Sequence, residues 1–118
     1  MERELGEFQT MVDIVQHLRA PGGCPWDREQ THQSLKRNLL EESYEDLEAI
    51  DRGDPRVLAE ELGDILVQVA FHADIAREAG HFELSDVLTQ INEKLVRRHP
   101  HVFSGEEVGD AREVERNW

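Results

Sequence analysis

Between Leu62 and Ala73 the chain reads LGDILVQVAFHA, in which almost every side chain is apolar or small. The polar exceptions are Asp64, Gln68 and His72, spaced i, i+4, i+8, and Glu61 lies one turn upstream of Asp64 on the same stripe. Such a helix is expected to be buried on most sides, and a polar seam this narrow on it is not a solvated face. A carboxylate held in such a seam must meet a cation, a metal ion or a proton, because an unpartnered buried charge is costly. A buried salt bridge or hydrogen-bond network answers that need as well as a metal does, so this stretch alone leaves both open.

The acidic run just upstream bears on the choice. Glu41, Glu42, Glu45, Asp46 and Glu48 would ordinarily form a solvated face. On a helical wheel, however, Glu42 and Glu45 share one edge of the apolar arc, whereas Glu41 and Glu48 lie on the opposite edge near Tyr44. Gly53 reads as the apex of a short helix–helix turn. Glu45 stands 8 residues before it and Glu61 8 after, while Glu42 stands 11 before and Asp64 11 after. At a rise of ~1.5 Å per residue, the members of each pair fall at matching heights on two antiparallel helices. Within each helix the two acids are i, i+3 and so share a side. Four carboxylates then converge, with no Lys or Arg between Leu62 and Ala73 to neutralise them. A divalent cation resolves the repulsion, and an all-oxygen donor set favours Mg²⁺, or Mn²⁺, over Zn²⁺.

Other metal chemistries fit less well. A di-iron bundle uses Glu-x-x-His pairs with imidazole ligands, and the Glu78 to His81 spacing is interrupted by Gly80. No EF-hand loop is visible. What remains is Mg²⁺ held by carboxylates and completed by a phosphate substrate. Positive charge for such a substrate is concentrated in KLVRRHPH, where Lys94 and Arg98 are i, i+4 and Arg97 lies beside them. The dipole of a helix C-terminus would attract the same residues. Trp26, in the segment CPWD, either covers a base or anchors its loop on a helix. Asp27 caps or pairs locally, and Cys24 beside Pro25 is read as packed rather than reactive. His72 is read as a hydrogen-bond partner of the seam rather than a ligand, and His99 and His101 as turn residues. Gln68 either bridges ligands or satisfies a neighbouring helix.

Helices must position these groups. Leu5, Phe8, Val12, Val15 and Leu18 mark a helix from about Glu2 to Arg19, stopped by Pro21-Gly22-Gly23. A loop carries Cys24 to Asp27. A second helix runs from about Ser34 to Asp51, with Leu35, Leu39, Leu40, Leu47 and Ile50 on its apolar arc. Asp54 caps and Pro55 opens a third, which reaches about Ala79 before Gly80. A fourth spans roughly Leu84 to Arg98, using Val87, Leu88, Ile91 and Leu95, and ends before Pro100. From Ser104 the chain is acidic and Gly-containing, a loop that opens into a last helical turn near Ala111. No strand-like alternation appears.

The 118 residues hold one small domain. Thirteen Lys plus Arg against 26 Asp plus Glu give a net charge of −13, which argues against a nucleic-acid surface. The single cysteine points to a reducing compartment. No apolar run approaches the ~18 residues of a membrane span, and MERELGEFQT lacks the basic and apolar regions of a signal peptide. The expectation is an all-α, four-helix, bundle-like domain over residues 1–118, cytoplasmic, with no membrane partner. Trp118 falls inside an opening helix, so the chain is expected to be a piece trimmed at its C-terminus.

The segments CPWDREQTHQSL, LLEESYEDLEAI, EELGDILVQVAFHA and KLVRRHPHVF, in that order, resemble the MazG family of nucleoside triphosphate pyrophosphohydrolases. The resemblance covers about Leu5 to Trp118. The family's EExxE and ExxD motifs match Glu41-Glu42-Ser43-Tyr44-Glu45 and Glu61-Leu62-Gly63-Asp64. It implies an all-α fold that dimerises through helix packing, and Mg²⁺-dependent hydrolysis of a nucleoside triphosphate to the monophosphate and pyrophosphate. By matching positions, Glu42, Glu45, Glu61 and Asp64 would be metal ligands, and Glu41 would orient or deprotonate the attacking water. Lys94 and Arg98, with Arg97 beside them, would contact the triphosphate, and Trp118 would lie near the nucleotide. The family's basic helical stretch beyond this Trp is missing from the sequence.

Two other functions compete. One is a non-catalytic regulatory or dimerisation domain of a tandem MazG-type protein that retains metal binding. The other is a redox-active carboxylate bundle, which the absence of histidine from the ligand set disfavours.

Overall fold

Local chemistry fixes where each helix begins and ends. A computed structural model describes residues 1–105, 107 and 109–118, and their regular structure is entirely α-helical. The helices are α1 (Glu2–Arg19), α2 (Pro25–Glu29), α3 (His32–Arg52), α4 (Pro55–Glu78), α5 (Leu84–Arg97), α6 (Pro100–Phe103) and α7 (Ala111–Asn117). α3 starts two residues ahead of Ser34 because Thr31 and Ser34 close a capping box. Ser34 N donates to Thr31 Oγ1 at 3.0 Å, and Thr31 N donates to Ser34 Oγ at 2.8 Å. The helix stops at Gly53, whose φ of +69° is a left-handed conformation that suits glycine. Asp54 Oδ1 then accepts from Arg56 N at 3.0 Å, and Pro55 occupies the first helical position of α4. This tight turn lays α4 back along α3, and the two form the most extensive contact between elements.

The CPWD segment is a short helix rather than the expected loop. Pro25 presets its first turn, and Cys24 N donates to Leu18 O at 2.8 Å, tying it to the end of α1.

Two compact units result, Met1–Phe82 and Glu83–Trp118. In the first, α1 and α3 pack on α4. Val15, Leu35, Ala49, Ala70, Ala73 and Ala76 are its buried apolar residues. Four of these are alanines, which let helix backbones approach closely. The expectation that the Leu62–Ala73 stretch is covered on most sides is corrected here. Leu62, Leu66 and Val69 form an exposed stripe at i, i+4, i+7, because α1 and α3 leave that side of α4 uncovered. Leu39, Leu40, Leu47 and Ile50 on α3 are exposed as well.

A buried ionic network ties this unit together. Arg19 Nη1 donates to Asp74 Oδ2 at 2.6 Å, and the two side chains are only 4% and 3% exposed. Asp74 also accepts from Arg77 at 2.8 Å, and Arg19 reaches Glu78 at 2.8 Å, which holds Arg28 at 3.1 Å. Arg19 Nε donates to the carbonyl of Asp27 at 3.3 Å, so the network also fixes α2.

In the second unit Asp86 caps α5 by accepting from Glu83 N at 2.8 Å, and Asp110 caps α7 by accepting from Glu113 N at 3.1 Å. Among the described residues no helix is long and apolar enough to cross a membrane.

Candidate metal centre

The turn at Gly53 sets the register of the acids on α3 and α4. Glu42, Glu45 and Glu61 each offer a carboxylate oxygen to a cluster whose atoms all lie within 4.8 Å of one another. Glu42 and Glu61 are half-buried, and Glu45 is open to solvent. Burial raises Glu61 to about 6, and the adjacent Glu45 carboxylate adds to the rise. Burial also raises Glu42, followed by the charges of Asp64 and Glu45. Across the helix pair, then, Glu45 bears most strongly on Glu61 and Asp64 on Glu42, the pairing that equal distances from Gly53 imply. Asp64 stands against Glu42, outside the trio of mutually close oxygens.

The donor set suits a hard divalent cation. Glu42 Oε2 and Glu61 Oε2 are buried and have no hydrogen-bond partner in the chain. Buried acceptors are normally satisfied, and carboxylates crowded this closely hold their charge only beside a cation. Every donor is an oxygen, which suits a hard cation.

The other residues singled out in the sequence lie elsewhere. Glu41 is 57% exposed and accepts from Arg37 Nε at 3.2 Å, one turn back on α3 and apart from the trio. Trp26 is 61% exposed on α2, which overturns its reading as a loop anchor. The segment is held instead through its backbone, since Arg19 Nε donates to the Asp27 carbonyl at 3.3 Å and Cys24 N to that of Leu18 at 2.8 Å. Lys94, Arg97, Arg98 and Trp118 belong to the second unit. There the Arg98 guanidinium lies 5.9 Å from the centre of the Trp118 ring, a cation–π distance, and His99 packs against the same indole at 5.4 Å. His99 is therefore more than a turn residue. His72 makes its contact with His32. Sequence reasoning missed the Arg19–Asp74 pair altogether. Its members are 55 residues apart, and the one available signal was an Asp inside the alanine-rich run HADIA.

Comparisons with known proteins agree with this architecture. The family model of the MazG nucleotide pyrophosphohydrolase domain matches residues 30–103. The chain is 58% identical over 96 residues to the nucleoside triphosphate pyrophosphohydrolase/pyrophosphatase MazG of Thermotoga maritima, covering 81% of this chain and 38% of that protein. It is 44% identical over 115 residues to the nucleoside triphosphate pyrophosphohydrolase of Escherichia coli K12, covering 97% and 44%. It is also 54% identical over 112 residues to the uncharacterised protein YabN of Bacillus subtilis, covering 95% and 23%. The chain thus spans less than half the length of these curated relatives. The crystal structure of a mazG-related protein from Thermotoga maritima superposes with a TM-score of 0.75 at 26% identity, over 93% of this chain and 94% of that one. With the fold, the EExxE and ExxD motifs and these matches together, the chain belongs to the MazG nucleotide pyrophosphohydrolase family.

Proposed function

We propose that this chain hydrolyses nucleoside triphosphates to nucleoside monophosphates and pyrophosphate with the help of Mg²⁺, for which Mn²⁺ can substitute. The observation that carries the proposal is the convergence of Glu42, Glu45 and Glu61, with Asp64 against Glu42, in a chain of this family. These four residues would hold the cation. When bound, it supplies positive charge to the phosphates and acidifies water.

The chain's own groups do the rest. Mutual repulsion among the carboxylates keeps the site poised for a cation. Lys94, Arg97 and Arg98 serve as substrate-binding cations that meet the charge of the phosphates and of the leaving pyrophosphate. Trp118 and the exposed Trp26 offer flat apolar faces to the nucleotide. Glu41 orients or deprotonates the attacking water. That role rests on the motif match alone, since its carboxylate is engaged by Arg37. The bare stripes Leu62–Leu66–Val69 and Leu39–Leu40–Leu47–Ile50 support a homodimer that packs helix on helix. The two units act as one MazG-type domain, in the cytoplasm, in nucleotide-pool housekeeping.

The test is pyrophosphate release from each of the eight common NTPs and dNTPs, with Mg²⁺ and with EDTA, beside Glu42→Ala and Asp64→Ala. Metal-dependent release that both substitutions abolish is the expected result. Absence of release from a folded, metal-binding chain would instead assign it the regulatory or dimerisation role.

A further inference from the structure

Away from the carboxylates, a pair of histidines joins α3 to α4. His32 Nδ1 and His72 Nδ1 lie 2.8 Å apart. The rings are parallel to within 2°, with centroids 5.1 Å apart. The two separations differ by 2.3 Å. That equals two radii of about 1.15 Å for a five-membered ring with bonds of about 1.33 Å. Both nitrogens therefore lie on the line between the centroids, and the rings meet edge to edge with their Nδ1 lone-pair directions opposed. One proton on the N···N line fits this geometry. A metal ion does not, because bonds of about 2.0–2.1 Å to both nitrogens would place it well off that line.

One nitrogen must donate and the other accept. Nε2 of His72 is buried without a partner, as is Oε1 of Gln68 one turn earlier on the same face. The Gln68 oxygen can only accept. The Nε2–H tautomer of His72 puts a donor on that face and leaves its Nδ1 as the acceptor, so His32 Nδ1–H donates.

We infer that His32 and His72 form a proton-linked clasp, which fastens the first turn of α3 to α4 and opens when both imidazoles are protonated. One proton, on the outer nitrogen of His32, leaves the N–H···N bond intact. A second, at Nδ1 of His72, sets two N–H donors against each other with no acceptor between them. Burial, and then the charge on His32, hold His72 below its ordinary value of 6.5.

Other charges near the pair are accounted for. On α4 itself, Asp74 is closed into its network with Arg77 and with Arg19 of α1, and Asp64 lies two turns away against Glu42. On α2, Arg28 is paired with Glu78, and Glu29 is exposed, as is Lys36 one turn into α3. Among the described residues His32 is the ionisable group that acts on His72.

The sign follows. In the unfolded chain His72 titrates at its ordinary value and in the fold it titrates lower, so the unfolded state takes up more protons as pH falls below 6.5. The clasp's stabilisation is complete above that pH and is lost as pH falls from there through the folded value.

Long-range ¹H–¹⁵N NMR of the imidazoles in the full chain, from pH 8 to 4.5, tests this together with thermal unfolding over the same range for wild type and His32→Phe. At pH 7.5 His32 Nδ1 should be protonated and His72 Nδ1 bare, and His72 should titrate below its ordinary value. The folded-to-unfolded ratio of wild type should fall about tenfold for each pH unit by which His72 is displaced, and that of His32→Phe by less. Both Nδ1 atoms bare at pH 7.5, or His72 titrating at the ordinary imidazole value, would overturn the clasp. So would identical pH dependence in the two proteins, or a large rise in Tm on adding Zn²⁺ that His32→Phe abolishes. If the variant does not fold, the wild-type tautomers and titrations decide alone.

Discussion

Lowering the pH should release the cation from the carboxylate centre, and the structure sets where. Glu61 titrates near 6 in the metal-free fold because it is half-buried and stands beside Glu45. A cation binds the ionised form, so its apparent affinity follows the ionised fraction of Glu61. With a midpoint near 6, that fraction is about nine-tenths at pH 7 and about one-tenth at pH 5. Mn²⁺ affinity should therefore fall at least about tenfold over those two pH units, with Glu42, also raised, adding to the loss. Titration calorimetry or Mn²⁺ spin resonance at pH 8, 7, 6 and 5 reads this directly. Glu61→Gln should bind more weakly at pH 7 and show a smaller step. The same shift has a consequence for the metal-free protein. Glu61's contribution to stability is fully present below 4.5 and is lost as pH rises through about 6. Mg²⁺ should accordingly raise Tm more at pH 8 than at pH 5. An affinity that changes less than twofold between pH 7 and pH 5 would refute the reasoning, because it would mean that the carboxylates do not share one site.

Two further predictions concern the framework around that site. Arg19→Met leaves Asp74 buried with Arg77 as its remaining partner and should cost about 3–5 kcal/mol in urea unfolding, whereas adding Asp74→Leu should recover most of the loss. A double variant no better than the single would show that packing, not charge, dominates. Gly23→Ala would drive a Cβ into the carbonyl oxygens of His17 and Leu18, a backbone clash that no rotamer relieves. It should lower stability by about 1–3 kcal/mol, and a urea midpoint equal to wild type would show that the turn leading into α2 yields freely.

The helices and the acidic site are written locally, and for that reason the sequence reveals them. Helix starts and stops depend on caps and breakers within a few residues, such as Thr31, Gly53 and Asp54-Pro55. The register of Glu42 and Glu45 against Glu61 and Asp64 follows from counting outward from one glycine, because helical rise is constant and the turn is short. The acidic centre was legible because a single hairpin of two helices builds it.

Contacts between groups far apart in the chain could not be read this way. The Arg19–Asp74 pair spans 55 residues and the His32–His72 pair 40, and neither has a spacing rule to announce it. Exposure behaves likewise. Hydrophobic periodicity says that a face is apolar, not whether another helix covers it. Leu62, Leu66 and Val69 looked like core and lie bare on α4. Trp26 was weighed as an anchor and faces solvent, while the Arg19 side chain of α1 holds α2 through the carbonyl of Asp27. Sequence alone thus determined the four long helices, the Gly53 turn with its Asp54-Pro55 start and the facing acids, all products of short-range geometry. Only the tertiary structure decided which charges are buried together, which histidines share a proton and which apolar faces stay open, since these depend on where distant segments come to rest.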